Sequence, residues 1–423
     1  MRSFSRRLVP LVVISVLILS RIALAQDDAT VVLRAARMLD VVEGRLIEPG
    51  VVAVTKGRIS AVGQVPPDAT VIELGDTTLL PGFIDLHTHL GGDIDAQSFN
   101  RRVRETEVDA AFRATSNARK TLLAGFTTVR DFGGQVTVAL GRAVEAGMVV
   151  GPHVVPSRNS IGVTGGHCDV TGLAPGVLET SWRDGIADGP DEVVKAVRYQ
   201  IKHGAKVIKT CATAGVLSFE ESVGAQQYSF AELEAMVQEA ARHGIKVAAH
   251  AHGTEGIRAA VQAGVASIEH GSILDTDTIE LMKEKGTYLV PTTYLTGAID
   301  FDALPPLLRS KAERILPLAR ESLAQAIAAG VKIGFGTDAG VFPHGDNAGE
   351  FAALVERGMD PLAALRSATI EAAAVLGVTD RGTIQVGRLA DLIAVPGNPL
   401  ENIRATEHVS FVMLAGTVAK RDE

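Results

Sequence analysis

After Pro81 the chain repeats one unit, a short apolar run followed by a longer stretch of helical periodicity. The apolar runs lie at 83–87, 126–130, 153–156, 207–209, 247–250, 266–270, 288–291 and 333–338. Short apolar runs alternating with longer amphipathic segments are the signature of parallel strands joined by crossover helices. Eight such runs match the count of a (β/α)8 barrel. Helical periodicity is clear over 105–123, 191–203, 230–243 and 307–329. Before Pro81, β-rich pieces at 31–34, 51–54, 58–62 and 70–74 are broken by Gly and Asp turns, and β-type patterning returns at 391–395 and 409–414. The expected fold class is therefore α/β, a (β/α)8 TIM barrel over 81–378 inserted in a small split β-sandwich domain built from 26–80 and 379–423.

Composition narrows the function classes. At 423 residues, 46% hydrophobic and 21% charged, the chain has ample material for a large core. Against 41 Lys+Arg stand 49 Asp+Glu, and no basic run occurs beyond the first few residues, which argues against nucleic acid as a partner. Aromatics make up only 4%, too few for base-stacking platforms, while 43 glycines suit tight strand-to-helix turns around small pockets. A small-molecule substrate is expected.

The first 25 residues read as a targeting segment. Arg2, Arg6 and Arg7 precede an apolar stretch from Leu8 to Leu19, and Ala23 and Ala25 supply the small-residue pattern cut before Gln26. The stretch is short for a membrane span, so export to the periplasm or medium is expected, with no membrane attachment after cleavage. The pair Arg6 and Arg7 weakly resembles a twin-arginine signal. Two cysteines, Cys168 and Cys211, are no disulfide framework. They are read as free, inert thiols, with pairing as the alternative.

The chemistry-bearing residues sit where strands end. His87 and His89 are two apart in an extended run, so both side chains point the same way and can reach one metal ion. Lys209, His250, His270 and Asp338 each close a later apolar run. In parallel barrels reactive groups gather at the carboxyl ends of strands, where all six fall.

That order, with the words PGFIDLHTH, HAHG, IEHG, GTDAG and GRLADL, resembles the amidohydrolase superfamily of metal-dependent hydrolases across essentially the whole mature chain. The resemblance implies a binuclear site in which His87, His89 and Asp338 hold the more buried ion and His250 and His270 the more exposed one. Lys209 falls where relatives carry a lysine carboxylated by carbon dioxide, whose carbamate bridges both ions. Nitrogen and carboxylate ligands suit zinc. Two such ions share a hydroxide and polarise a carbonyl. Asp338 is then the general acid and base.

Within the superfamily, the stretch from Thr164 through Tyr228, His250 and His270 is similar to a group of exported Xaa-Pro dipeptidase-like and carboxypeptidase-like enzymes, related to imidazolonepropionase. The resemblance implies hydrolysis of the C-terminal residue from dipeptides or N-acyl amino acids, an amide-linked mycotoxin among them, by homo-oligomeric enzymes. A lactonase, a phosphotriesterase-like enzyme or another cyclic-amide hydrolase uses the same ligands and is the alternative. By the same resemblance Tyr228 and His167 are expected as oxyanion donor and carboxylate anchor, in that order. His252 shares the face of His250 and is expected at the substrate, and Arg158 and His344 are candidate partners of a terminal carboxylate.

Overall fold

The computed structural model describes residues 29–93, 98–220 and 222–422. The expected targeting segment, 1–25, lies outside the described residues. The fold is mixed α/β. Seven parallel strands carry its centre: β1 (Phe83–Thr88), β2 (Phe126–Asp131), β3 (His153–Pro156), β4 (Ile208–Cys211), β5 (Val247–Ala251), β6 (Ser267–His270) and β7 (Tyr288–Val290). Ladders run β1 to β2 to β3 and β4 to β5 to β6 to β7. A parallel bridge between Ile161, just past β3, and Thr210 of β4 joins the two sets.

The eighth apolar run, 333–338, forms bridges rather than a regular strand. Ile333 bridges Leu289 of β7, and Ala339 bridges Thr88 of β1. Between them Leu86 N–H bonds to Phe335 O at 2.9 Å and Asp338 N–H to His87 O at 2.7 Å. This run is squeezed from both sides. A Cβ at Gly336 would stand 2.3 Å from Val290 and 3.0 Å from His87, so only glycine lets the backbone through. The pairings thus pass from β1 round to β7 and, through this run, back to β1.

Helices cover the strands where the periodicity placed them, at Glu107–Leu123, Pro190–Lys202, Phe230–Arg242 and Pro306–Ala329. Their ends follow local chemistry. Ser229 accepts from Glu232 N–H while the Glu232 carboxylate reaches back to the cap, Pro190 takes the first helical position, and Gly330 ends the long helix at φ 81°.

The N-terminal pieces form a four-stranded sheet in the order Arg58–Val62, Gly50–Thr55, Val31–Ala35, Thr70–Glu73. A second sheet of six strands runs Thr417–Arg421, Phe411–Leu414, Leu392–Pro396, Thr77–Pro81, Arg37–Asp40, Arg45–Ile47. In it the C-terminal strand Leu392–Pro396 pairs antiparallel with Thr77–Pro81, which leads directly into β1. Leu33, Val52 and Ile59 of the first sheet pack with Met38, Leu79, Leu392 and Phe411 of the second. The four strands at 37–40, 45–47, 77–81 and 417–421 were not expected from the sequence. Among the described residues no helix is long and apolar enough to cross a membrane.

Candidate metal centre

His87, at the end of β1, is buried and fixed from behind. Its Nδ1 lies 2.8 Å from Glu269 Oε2, so this nitrogen donates to the carboxylate and Nε2 is left facing the cavity. That Nε2 stands 3.3 Å from Asp338 Oδ1 and 3.4 Å from Lys209 Nζ. His89 follows two residues on, its Nε2 3.0 Å from the same Asp338 oxygen. Asp338 takes φ 62° and His270 φ 72°, the left-handed region that side-chain-bearing residues rarely adopt. Strain of this kind concentrates at functional sites.

His250, His252 and His270 end β5 and β6 with ligand atoms within 4.8 Å of one another, and His87, His270 and Asp338 form a second such group. His270 belongs to both. The rear nitrogens are engaged one by one: His252 Nδ1 with Ser272 Oγ at 2.7 Å and His270 Nδ1 with Thr292 Oγ1 at 2.9 Å. Partners of this kind fix tautomer and ring orientation in metal-ligating histidines. Among the described residues His250 Nε2 is buried without a hydrogen-bond partner, a costly state for a polar atom.

Electrostatics keep these groups ready to coordinate. Burial holds the imidazoles of His250 and His270 well below their ordinary pKa, and brings His252 down to about 4. They are neutral at physiological pH, with lone pairs available. Burial works to raise Asp338, but His87 and His89 outweigh it and hold the carboxyl well below its usual range. Lys209 is buried with Nζ 4.0 Å from the ring centroid of Phe132. Desolvation lowers its ammonium to about 8, against the pull of Glu269 and Asp338.

Beneath this floor lies a layer of buried charge that the sequence reading missed. Arg130 donates to Glu269 Oε1 at 2.7 Å, to Ser267 Oγ at 3.0 Å and to Leu86 O at 2.6 Å. Burial would raise Glu269, yet Arg130 and His87 together leave it at about 2. Asp85 accepts from His87 N–H, Thr337 N–H, Thr337 Oγ1 and Asn347 Nδ2, tying β1 to the run that carries Asp338. Burial pushes Asp85 up to about 6. Both acids were findable, since Asp85 lies two residues before His87 and Glu269 two after Ser267, each pair on one face of its strand.

The six strand-end residues line one cavity of about 700 Å³. His167 and His252 line it too, His167 stacked on His250 with ring centroids 4.1 Å apart and Nδ1 2.7 Å from Ser218 Oγ. Three expected substrate contacts do not reach it. Tyr228 is fully buried in the core, and its hydroxyl donates to Ala187 O at 2.9 Å. Arg158 points to the helix layer, donating to Gln200 Oε1 at 2.6 Å and Gln135 Oε1 at 2.9 Å. His344 stands behind His89, its Nε2 3.3 Å from His89 O and its Nδ1 3.4 Å from Thr121 Oγ1. The expectation of free thiols is also corrected. Cys168 and Cys211 are joined in a disulfide, their Cα atoms 5.8 Å apart, because Cys211 N–H bonds to Ile161 O beside the loop that carries Cys168.

Residues 78–419 match the family described as the Amidohydrolase family. The ochratoxinase of Aspergillus niger is 36% identical over 354 residues, covering 79% of this chain and 73% of that protein. Among solved structures, a Xaa-Pro dipeptidase with methionine bound in its active site superposes with a TM-score of 0.88 at 37% identity, over 92% of this chain and 99% of the other. A prolidase complexed with N-methylphosphonate-L-proline gives 0.84 at 35% identity, over 93% of this chain and 100% of the other.

Proposed function

The chain belongs to the amidohydrolase family and is a hydrolase of carbon–nitrogen bonds in small molecules; from that premise we propose that it uses two divalent metal ions, zinc by the chemistry of its donors, to release the C-terminal residue of dipeptides or N-acyl amino acids. The observation that carries this reading is the convergence of His87, His89, Lys209, His250, His270 and Asp338 on one cavity, with His250 Nε2 buried and unpartnered among them. A neutral-imidazole and carboxylate donor set fits zinc. The Xaa-Pro dipeptidase and the prolidase among the similar structures support a peptide-like substrate.

His87, His89 and Asp338 would hold one ion, His250 and His270 the other, and Lys209 both. When bound, such ions lower the pKa of a water molecule and polarise the scissile carbonyl. The chain supplies the rest. Lys209, with its ammonium brought down to about 8, exposes enough free amine near neutral pH to take up carbon dioxide as a carbamate. Glu269 holds the His87 ring with Nε2 forward. Asp338 is ionised, so it accepts the proton of the attacking water and delivers it to the leaving nitrogen. His167 and His252, neutral and fixed by Ser218 and Ser272, are placed to contact the substrate.

The ring of parallel pairings supports a (β/α)8 barrel over 81–378, set within a β-domain split between 26–80 and 379–423. Residues 1–25 would direct export. The test is release of amino acid from a panel of dipeptides and N-acyl amino acids by the zinc-loaded protein, with chelator and Lys209→Ala as controls. Chelator-sensitive amide turnover is expected. An ester or lactone preferred by orders of magnitude would overturn the assignment.

A further inference from the structure

Arg158 and His344 face away from the cavity, so an anionic end of a substrate has to be met by another cation. Three arginines line the cavity: Arg101, Arg102 and Arg113. Two are answered by acids. Arg113 is bonded to Glu105 and stands 3.6 Å from Asp93, while Arg101 donates to Asp93 O at 2.9 Å and lies 3.4 Å from Glu105. Arg102 is different. It is an exposed side chain where it borders the cavity, and no carboxylate of the described residues lies within ion-pair distance of it. Elsewhere the same cavity is walled by Val216, Leu217, Leu295, Ile299, Ile315 and Leu316. Among the described residues, one cavity therefore brings together candidate metal-ligating groups, an apolar wall and an arginine without an acidic partner.

We propose that Arg102 is a specificity-determining residue that receives the carboxylate of an N-acyl amino acid, while the apolar part of the substrate lies against the wall that includes Leu217 and Ile315. The proposal rests on the amide-hydrolase reading and adds which end of the substrate is recognised, and by what. A guanidinium fork matches a carboxylate with two parallel hydrogen bonds, and it does so most strongly where no internal acid competes. The apolar wall takes up a hydrophobic acyl group or side chain, as mostly apolar pockets with a few placed polar groups do.

The test uses the full zinc-loaded protein and two probes that differ only in the carboxylate, N-benzoyl-L-phenylalanine and N-benzoylphenethylamine. The wild type should prefer the acid by about tenfold or more in kcat/KM, the range of one charge-assisted contact. Arg102→Met should abolish that preference by raising KM for the acid alone, with the phenethylamide unaffected, and Arg102→Lys should restore part of it. An acid-to-amide ratio unchanged in Arg102→Met, with turnover intact, overturns the proposal and leaves the hydrolase reading standing. If neither probe turns over, calorimetric titration of both probes decides Arg102, while the dipeptide and N-acyl amino acid panel decides the hydrolase reading separately. Tighter binding of the acid that disappears in Arg102→Met upholds the proposal, and equal affinities overturn it.

Discussion

The floor of the cavity and the layer beneath it are built from similar residue types and finished differently. In the lower layer, both oxygens of Glu269 are bonded, Asp85 accepts four hydrogen bonds, and Arg130 spends its donors on a carboxylate, a hydroxyl and a carbonyl. On the floor, a buried nitrogen of His250 has no hydrogen-bond partner among the described residues, and His87 and His89 both turn a nitrogen toward one oxygen of Asp338. Polar groups are satisfied where the protein needs only to stand, and left open where something else must complete them. The lower layer is completed from within, and on the proposed reading the floor is the reactive surface it supports.

The sharpest way to break this comparison is to change one member of each layer. His250→Ala or Lys209→Ala should reduce kcat/KM on the order of a thousandfold, with the loss of a metal-assisted term. Folding stability of the metal-free protein should change little, because His250 Nε2 has no hydrogen-bond partner among the described residues and Lys209 Nζ makes a long 3.4 Å contact to His87 while burial disfavours its charge. Glu269→Gln should do the reverse in emphasis. It leaves Arg130 buried beside a neutral amide, and the unfolding free energy should fall by about 3 kcal/mol in denaturant titration. A Glu269→Gln protein as stable as the wild type, or a metal-free His250→Ala protein that has lost as much stability as Glu269→Gln, would erase the distinction between the layers.

Much of this was legible in the sequence, and the reasons differ by element. Helix bounds came within about two residues because caps such as Ser229 with Glu232 are local signals. That His87, Lys209, His250, His270 and Asp338 meet followed from one rule, that parallel strands end on a common face. Tyr228 and Arg158 were misplaced because a loop position does not say which way a side chain turns. The pairing of Cys168 with Cys211 rests on a fold-level proximity that spacing does not encode. Strands at 37–40 and 45–47 are short and carry Arg and Asp at their ends, so their β pattern is faint. The eighth run reads as a strand by its apolar residues, whereas Gly334 and Gly336 let it pass between its neighbours with only bridges.

The two lower-layer acids also oppose each other in pH. Glu269 has a folded pKa of about 2 against an ordinary 4.5, so between these values the unfolded chain binds more protons. The stability it confers is complete above pH 4.5 and is lost as pH falls toward 2, up to about 3 kcal/mol. Asp85 has the opposite sign. Its folded pKa of about 6 exceeds the ordinary 3.8, so the folded chain binds more protons, and its contribution declines as pH rises through that window. Denaturant unfolding of the chelator-treated protein across these pH values checks both. Glu269→Gln should flatten the acid-side loss relative to wild type, and Asp85→Asn should flatten the decline between 3.8 and 6. Difference curves without those windows would show that neither group titrates as its surroundings require.

The smallest effect tests the join between the layers. Thr292 belongs to neither charge network, yet its Oγ1 holds His270 Nδ1 at 2.9 Å, and His270 is the residue shared by both ligand groups. Thr292 itself takes φ 50°, a conformation unfavourable for a β-branched residue, so the structure retains strain where it positions this ring. Thr292→Ser keeps the hydroxyl and should leave zinc affinity near wild type, while Thr292→Ala removes it and should weaken affinity about tenfold, as loss of a ligand's supporting hydrogen bond does. Competition with a chromophoric chelator reads the difference without recourse to activity. If both variants bind zinc as the wild type does, the orientation of His270 is set by packing against the rings of His250, His252 and His87, with centroids at 4.8, 5.0 and 5.1 Å, and the hydroxyl contact is incidental.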